Sequence, residues 1–404
     1  MRTRPFARNL RIVAYADIHH GEYANGRTQS DMIQAEEWIT RIAIDSKADW
    51  TVFAGDAFRS RNPHDECKTH WLEVRAKRLE LFRELGINQL DIVGNHCRWY
   101  KAENSGHVYE ALQTIYESSF DERYSGAAHI SEVQENYLPN SDVMFYTLPA
   151  QVEFQEGRWD LDNNEADIKV CVVHGMVKGC LLNPNGHKAD HGIPMEILDR
   201  EQFDFVICGD IHIPQILDFK NTKGGYVGST LQLDYTDMGE DRGALLIDFK
   251  KGEYEPVVQF IPFPHAELKV LEWSAKDPLP DLSPYEGSLL RVKVSNAGVM
   301  SSVDLDHVKS QIAKVARHVE WVPVSESAQK ALINRSVIAS AGPLDDFNRY
   351  MDSLGVQDAG TRVRRLEILG DLINDKPGDE PVRPVQNVRR LETITRNPVA
   401  ANSR

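Results

Sequence analysis

Five short polar clusters, each placed directly after an aliphatic run, constrain the fold of this chain more than any other feature. They are Asp17-Ile18-His19, Gly55-Asp56, Gly94-Asn95-His96, His174-Gly175 and Gly209-Asp210-Ile211-His212. Short β-branched and aliphatic runs are typical of buried strands, so each cluster is expected where a strand ends and a loop begins. The carboxyl ends of the strands in an open α/β sheet meet at one crevice. We therefore expect the five clusters to converge on a single site.

The segments between the first three clusters predict the crossover helices that a parallel sheet requires. Residues 31–47 carry apolar side chains at helical spacing, with Ser30 or Asp31 as the N-cap. A second helical pattern covers residues 71–85 and stops at Gly86. The resulting β-α-β-α-β order indicates parallel strands, and a second set of strands is predicted further along the chain.

Composition and charge restrict the class of protein. Of the 404 residues, 41% are hydrophobic and 26% are charged, which is ordinary for a globular chain of two or three domains. No apolar stretch approaches the length of a membrane span, and the N-terminus enters a strand-like segment without a signal-peptide core. Five scattered cysteines in no zinc-site spacing predict reduced thiols in a cytoplasmic protein. The net charge of −15 argues against a broad basic surface, so any contact with a phosphate backbone must be local.

The side chains of the clusters are of the kinds that hold two divalent cations. Two cations about 3.5–4 Å apart polarise a phosphate and lower the pKa of a bound water, which supplies a nucleophile for in-line attack. Asp56 is the candidate bridging ligand. The first cation is expected to take Asp17, His19 and His212, and the second Asn95, His174 and Asp210. Carboxylate, amide and imidazole ligands without thiolate suit Mn²⁺ or a metal of similar hardness.

His96 stands next to a ligand without being needed as one. It is therefore the candidate general acid, placed to protonate the leaving oxygen or to stabilise the charge of the transition state. Each cluster by itself is more often a turn, a cap or a surface histidine than a functional site. Five of them in order, all at predicted strand ends, indicate a metal centre.

The same ordered motifs resemble those of the calcineurin-like metallophosphoesterase superfamily, and most closely its DNA-repair nuclease branch of SbcD-like exonuclease subunits, phage equivalents included. Residues 209–215, Gly-Asp-Ile-His-Ile-Pro-Gln, are followed by Gly228-Ser229 and Arg242-Gly243 in the order that this branch shows. The resemblance implies an α/β fold, a four-layer α-β-β-α sandwich with a small α+β capping domain and C-terminal helices. It covers about residues 10–374, strongly to residue 250 and weakly beyond.

The resemblance divides the chain into four expected parts. They are a metallophosphoesterase (nuclease) domain over 1–262, a small β-α-β DNA-capping domain over 263–330, C-terminal amphipathic helices over 331–375 and a disordered tail over 376–404. The C-terminal helices are a candidate docking segment for an SbcC-like coiled-coil ATPase of the SMC type. The resemblance also implies DNA as a partner and a homodimer, with residues 104–120 as a candidate dimer surface. In a phage protein, the compartment would be the host cytoplasm.

Three positions depart from the pattern of that branch. Asp210 stands where a histidine is typical, and a carboxylate there can bind the same kind of cation while adding negative charge beside a phosphodiester. Cys97 follows the Gly-Asn-His motif where an acidic residue is common, and a packed thiol is its expected role. Arg59 stands where some members carry a second histidine, and it could contact phosphate instead.

Cations in the loops after the clusters predict a local basic rim, which a nuclease that reads the DNA backbone needs. The candidate DNA contacts are Arg59, Arg61, Arg98, Lys101, His187 and His191, and the rim also includes Arg27, Lys178 and Lys188. Trp99 and Tyr100 could stack on unpaired bases, although packing against the turn explains them equally well. The loop over residues 175–194 is expected near the site, where it could close over substrate.

The sequence leaves three functions open. The main prediction is a Mn²⁺-dependent DNA nuclease that hydrolyses phosphodiester bonds as exonuclease and single-strand endonuclease, with an SbcC-like ATPase, in DNA end processing, repair or recombination. The second is a small-molecule phosphodiesterase or phosphomonoesterase of the same superfamily, which the acidic net charge favours. The third is a non-catalytic DNA-end-binding scaffold whose metal site has decayed at Asp210.

Overall fold

The computed structural model describes the chain from residue 4 to residue 324 with several gaps. The described ranges are 4–21, 25–98, 127–130, 134–137, 143–150, 154, 159, 166–182 and 186–324. Several predictions lie outside these residues: those for Trp99, Tyr100 and Lys101, for the segment 104–120, and for the C-terminal helices and tail.

Fifteen strands and four helices are present in the described residues. The strands are β1 (Leu10–Tyr15), β2 (Trp50–Phe53), β3 (Asn88–Ile92), β4 (Ala127–Ile130), β5 (Gln134–Tyr137), β6 (Val143–Leu148), β7 (Ile168–His174), β8 (Phe205–Gly209), β9 (Gln215–Ile216), β10 (Gly224–Tyr226), β11 (Gly243–Phe249), β12 (Val257–Pro262), β13 (Leu268–Ser274), β14 (Leu289–Ser295) and β15 (His318–Val324). The helices are α1 (Gln29–Asp45), α2 (Asp65–Leu85), α3 (Met195–Leu198) and α4 (Ser302–Ala313).

Two six-stranded sheets carry the polar clusters. The first sheet has the order β12-β11-β1-β2-β3-β4, and the second has the order β5-β6-β7-β8-β10-β9. Strands β1 to β4 are parallel, as are β6, β7, β8 and β10. Helices α1 and α2 are the predicted crossovers between β1, β2 and β3. The parallel runs place the ends of β1, β2, β3, β7 and β8 at one edge of the paired sheets.

The boundaries of α1 and α2 follow from local chemistry. Helix α1 begins one turn earlier than predicted, because the N-cap is Thr28 and not Ser30 or Asp31. Asp31 acts instead from the third helical position, where its carboxylate accepts a hydrogen bond of 2.7 Å from the backbone N–H of Thr28. Helix α2 ends as predicted at Gly86, whose φ of 72° is left-handed.

The two sheets pack face to face over a buried aliphatic core. Ile12 and Val52 of the first sheet meet Val170, Val172 and Ile207 of the second, all without solvent exposure. Strands that are buried along nearly their whole length, such as β2, β7 and β8, are typical of sheets that are covered on both faces.

Outer layers cover the far face of each sheet. Helices α1 and α2 pack on the first sheet through buried side chains such as Ile39 and Phe82. The short helix α3 and the loops around it cover the second sheet through Leu198, Phe203 and Trp159. The order of the layers is helices, sheet, sheet, and a fourth layer that in the described residues is mostly loop with the short helix α3. This order confirms the α/β sandwich.

A third sheet of three parallel strands, β13-β14-β15, follows the sandwich in the chain. Helix α4 lies between β14 and β15 and contributes Ile312 to a small core with Trp273 and Val292. Arg317, directly before β15, forms an ion pair of 2.6 Å with Asp31 in the first turn of α1. All three sheets lie within one compact unit, Met1–Glu326, and the boundary expected at residue 262 stays a prediction.

Two further expectations concern membranes and cysteines. Within the described ranges, none of the helices is long and apolar enough to cross a membrane. All five cysteines are buried. Cys97 is a packed thiol: it has no solvent exposure, and its Sγ accepts a hydrogen bond of 3.3 Å from the backbone N–H of Ala57.

Candidate metal centre

All five polar clusters meet at one edge of the sandwich. Asp17 and His19 follow β1, Asp56 follows β2, Asn95 and His96 follow β3, His174 ends β7, and Asp210 and His212 follow β8. Backbone hydrogen bonds tie the first two loops together, from the N–H of Asp17 to the carbonyl of Gly55 at 3.0 Å and from the N–H of His19 to that of Asp56 at 3.2 Å. The predicted convergence is therefore present in the structure.

Three side chains predicted for the first cation lie together. The ligand atoms of Asp17, His19 and His212 are all within 4.8 Å of one another. His19 Nε2 lies 3.9 Å from Asp17 Oδ1 and 3.7 Å from Asp56 Oδ2. The His19 and His212 rings are 5.2 Å apart between centroids. This group can accommodate one cation between an imidazole pair and a carboxylate.

The side chains predicted for the second cation lie on the other side of Asp56. His174 Nε2 is 3.5 Å from Asp56 Oδ1 and 3.7 Å from Asp210 Oδ1. Asn95 Nδ2 donates a hydrogen bond of 2.9 Å to Asp210 Oδ1. The two oxygens of Asp56 thus face one histidine each, which supports the bridging role. Asp17 also lies within 4.8 Å of Asp56 and His174, so it contacts both groups and not the first alone.

Several ligand atoms in this centre are buried and have no hydrogen-bond partner within the described part of the chain. They are Asp17 Oδ1, His19 Nε2, Asn95 Oδ1 and His174 Nε2. A buried acceptor that lacks a donor costs about 1–3 kcal/mol. Oxygen and imidazole nitrogen acceptors pointing into one space are what a divalent cation binds. The residues therefore fit a metal centre.

Backbone carbonyls set the tautomer of two ligand imidazoles. His19 Nδ1 lies 3.2 Å from the carbonyl of Phe58, and His174 Nδ1 lies 2.6 Å from that of Ala54. Because a carbonyl only accepts, each Nδ1 carries the proton. The lone pair on Nε2 of the neutral imidazole can then bind a cation, which on His174 would replace the second proton that its raised pKa favours.

The backbone at the site is strained. Asp17, His19 and Asp56 have φ values of 52°, 55° and 59°, and Asp210 has a φ of 94°. Non-glycine residues seldom adopt this left-handed region, and such outliers concentrate at functional sites. Each strained residue turns the chain sharply at the end of its strand, which brings the ligand side chain into the centre.

Two glycines allow the loops to approach closely enough. A Cβ at Gly94 would lie 2.1 Å from Asp56 Oδ1, and one at Gly55 would lie 2.2 Å from His174 Nδ1. Both distances are shorter than any real contact. The glycine before each ligand therefore belongs to the motif because no side chain fits there.

Burial and neighbouring charges shift the pKa values in the centre. Burial raises the pKa of Asp17 to about 7, and the nearby charges of Asp56 and Asp210 add to that shift. Burial lowers the pKa of His19 to about 3, so its imidazole is neutral. Burial also disfavours charge on His174, but the Asp56 carboxylate outweighs it and raises that pKa to about 10. Positive charge between these carboxylates would allow all of them to ionise.

His96 is held beside the ligands. Its backbone N–H donates to Asp56 Oδ1 at 2.9 Å, and its Nδ1 lies 2.6 Å from the carbonyl of Arg59. Its ring centroid is 5.2 Å from that of His19. Because Nδ1 donates to a carbonyl, Nε2 is left to exchange a proton. Arg59 and His19 line a cavity of about 50 Å³ next to this ring.

The predicted basic rim is only partly present. Arg98 is 1% exposed and its Nε donates to the carbonyl of Ala150 at 2.9 Å. Arg27 is 3% exposed and its Nε donates to the carbonyl of Gln232 at 2.8 Å. Both guanidinium groups are buried and hold loops together through these hydrogen bonds, and their contact with DNA stays a prediction. Arg61 donates to the carbonyl of Arg98 at 3.3 Å and is half-buried.

The loop after His174 reaches the centre through one described residue. Leu182 lines a cleft of about 250 Å³ together with Asp210 and His212. His187 and His191 are exposed, and neither lines this cleft or the cavity beside Arg59. His191 pairs with its neighbour Asp190. The structure therefore places the loop near the site but does not bring these two histidines to it.

Asp237 is the site residue that sequence reasoning missed. Its Oδ2 lies 3.5 Å from His212 Nδ1, and it lines the cleft with Asp210 and Asp234. The Asp234-Tyr-Thr-Asp237 pattern is that of a capped turn, and here it does cap the short 3₁₀ helix Tyr235–Asp237. That local role conceals the contact with a ligand more than twenty residues away in the chain.

Comparison with known proteins gives consistent relatives. The sequence profile of the calcineurin-like phosphoesterase family matches residues 10–214. The SbcD component of nuclease SbcCD from Staphylococcus epidermidis is 24% identical over 316 residues, which are 71% of this chain and 76% of that protein. DNA double-strand break repair protein Mre11 of Haloferax volcanii is 26% identical over 244 residues, 59% of this chain and 49% of that protein. Its counterpart from Archaeoglobus fulgidus is 23% identical over 235 residues, 56% of this chain and 51% of that protein. The chain thus spans about half the length of these archaeal relatives.

Proposed function

The chain belongs to the calcineurin-like phosphoesterase family, and on that premise we propose that it is a metal-dependent DNA nuclease. It hydrolyses phosphodiester bonds as exonuclease and single-strand endonuclease. The observation that carries this proposal is the set of unpartnered ligand atoms around Asp56, with the His96 ring beside them. A phosphoesterase needs a dication centre and a proton donor at the same place.

The chain's own residues divide the work. Two cations held by these ligands would supply the Lewis acid that polarises the phosphate and activates water. Asp56 faces both ligand groups and fixes their separation. The carbonyl of Arg59 holds the His96 ring, so that Nε2 can deliver a proton to the leaving oxygen. Arg59, beside His19, is placed to contact a phosphate oxygen.

The choice of DNA as substrate is supported by the relatives. One is named as part of a nuclease and two as double-strand break repair proteins. We extend the proposal to Mn²⁺ as the metal and to an SbcC-like ATPase as partner, in DNA end processing, repair or recombination. A homodimer, a DNA-capping role for residues 263–330 and ATPase docking over 331–375 belong to the same proposal.

A small-molecule phosphodiesterase or phosphomonoesterase is the second candidate. The acidic cleft favours this second function, because Asp210, Asp234 and Asp237 line the same cleft as His212. Such a lining repels a polyanion more strongly than a small ester. The burial of Arg27 and Arg98 weakens the basic rim further.

Cleavage assays separate these functions. With Mn²⁺, the purified wild-type chain should cleave single-stranded and nicked DNA, and it should turn over a chromogenic diester more slowly. Replacing the general acid in His96→Ala should lower kcat about 10²–10⁴-fold, and Asp56→Ala should abolish cleavage. His64→Ala is the matched control, because His64 is exposed at the start of α2 and lines neither cavity, and it should cleave like wild type. No cleavage by wild type, or equal cleavage by all variants, would contradict the proposal.

A further inference from the structure

We propose that Asp237 is a positioning residue for His212 and that its carboxylate tightens binding at one of the two cation sites. The inference rests on the proposed two-cation centre and deepens it. It starts from a difference among the histidines of the site. His19, His96 and His174 each place Nδ1 against a backbone carbonyl. His212 places Nδ1 3.5 Å from a carboxylate oxygen instead.

The Asp237 carboxylate is fixed from several sides. Its Oδ2 accepts from the backbone N–H of Leu233 at 2.8 Å and from that of Asp234 at 3.3 Å. Its Oδ1 lies 3.3 Å from Arg242 Nη2, which also donates to the Asp237 carbonyl at 3.1 Å. Asp237 is 3% exposed and Arg242 is fully buried. The carboxylate therefore cannot rotate away from His212 without losing these partners.

The charge of Asp237 is maintained in this environment. Arg242 places a positive charge 3.3 Å from Asp237 Oδ1, and the backbone N–H groups of Leu233 and Asp234 donate to Oδ2, so these surroundings favour the ionised carboxylate. An ionised carboxylate at Nδ1 keeps the proton there and makes Nε2 a stronger ligand.

The consequence is specific to one site. His19 and His174 depend on main-chain carbonyls, which no side-chain substitution removes. Only His212, among the described ligand histidines, depends on a side chain that can be replaced. Outer partners of metal-bound histidines are worth about 10–100-fold in metal affinity. Neutralising Asp237 should therefore weaken the site that contains His212 and leave the His174 site intact.

Calorimetric titration of the metal-free full-length chain with Mn²⁺ tests this. Wild type should bind two ions. Asp237→Asn should bind one of them about 10–100-fold more weakly and the other with unchanged affinity. Asp248→Asn is the matched control. Asp248 lies on strand β11, outside the centre, and its carboxylate forms an ion pair with Arg11. This variant should bind both ions like wild type.

The remaining outcomes are distinguishable. Unchanged affinity at both sites in Asp237→Asn would overturn the inference while leaving the proposed function intact. Equal weakening of both sites, with a lower thermal midpoint of the metal-free protein, would assign Asp237 a purely structural role and also overturn it. Binding of fewer than two ions by wild type would contradict the proposed centre itself.

Discussion

Two buried charged clusters lie on opposite sides of the same loop, and they are balanced in different ways. One is the metal centre. The other, which we call the arginine cluster, lies between β1, β3 and helices α1 and α2. It consists of His20, Glu36, Arg75, Arg78 and Asp91. Every one of these five side chains is at most 1% exposed.

The arginine cluster contains both signs of charge in contact. Arg75 Nε lies 3.2 Å from Glu36 Oε1, and Arg75 Nη1 lies 3.0 Å from Asp91 Oδ2. Arg78 pairs with Glu36 and donates to the Tyr15 hydroxyl at 2.6 Å. Burial opposes ionisation of Glu36, but the two guanidinium groups outweigh it and hold its pKa well below the usual range.

The metal centre has the opposite balance. Its carboxylates outnumber its cationic side chains, and burial raises the pKa of Asp17 to about 7. Most charged side chains of both clusters are buried, so burial alone does not decide the role of a charge. A cluster that is neutralised by its own side chains stabilises the fold, whereas one with unpartnered acceptors requires an external cation.

The two clusters are also connected. His20 follows the ligand His19, and its Nε2 lies 3.6 Å from Glu36 Oε1. Its backbone N–H donates to the carbonyl of Ala57 at 2.7 Å. The arginine cluster therefore supports the loop that carries the first ligands, and separate variants can test each cluster.

The largest expected effect is on activity, from a variant of the metal centre. Asp17→Asn removes a carboxylate that both ligand groups contact. It should lower the rate of DNA cleavage by a factor on the order of 10³, which corresponds to several kcal/mol of transition-state stabilisation. The free energy of unfolding in EDTA should change by less than about 1 kcal/mol, because burial already disfavours the Asp17 charge and an amide oxygen can still accept the hydrogen bond from the backbone N–H of Asp210. Urea denaturation in EDTA and a cleavage assay measure the two quantities. A large loss of stability without metal would show that Asp17 belongs to a self-balanced cluster.

The next effect is on stability, from the arginine cluster. Glu36→Gln removes the carboxylate that pairs with Arg78 and leaves Arg75 with Asp91, which should destabilise the chain by about 3–5 kcal/mol. The variant should still bind two Mn²⁺ ions under conditions where it is folded. Denaturant titration gives the stability, and elemental analysis gives the metal content. Loss of metal at full stability would contradict the assigned difference between the clusters.

A smaller effect concerns the stability of the chain at acidic pH. The folded pKa of Glu36 is depressed, so its contribution to stability is full above its unfolded pKa of about 4.3 and is lost as the pH falls through lower values. Between about pH 5 and pH 3, wild type should therefore lose more stability than Glu36→Gln. Thermal midpoints in EDTA across that range measure the difference. Parallel pH curves for the two proteins would contradict it.

Much of the fold and the ligand set was predictable because their signals are local. An aliphatic run followed by a polar cluster marks a strand end wherever it occurs, and the β-α-β order then places those ends together. Gly86 terminates α2 through its own left-handed conformation. The close approach of Gly94 to Asp56 comes from the structure alone, because the two residues lie in different loops.

The parts that were not predictable depend on distant partners. Arg98 and Arg27 follow the ligand motifs in the chain, as residues of a basic rim would. In the fold both side chains are buried, and they donate to the carbonyls of Ala150 and Gln232, respectively. Glu36 and Arg75 lie on helices, where charged side chains usually face water. They are buried because α1 and α2 pack on the same sheet, which no local pattern reveals. The contact between Asp237 and His212 is hidden for the same reason.

The metal content of the purified chain tests the central claim most directly. Wild type, dialysed to equilibrium against Mn²⁺ and analysed for bound metal, should hold two ions per chain, because two ligand groups share Asp56. Asp56→Ala should hold at most one. Two ions in wild type and fewer in the variant would support the account. Wild type that holds one ion or none, or a variant that still holds two, would contradict it.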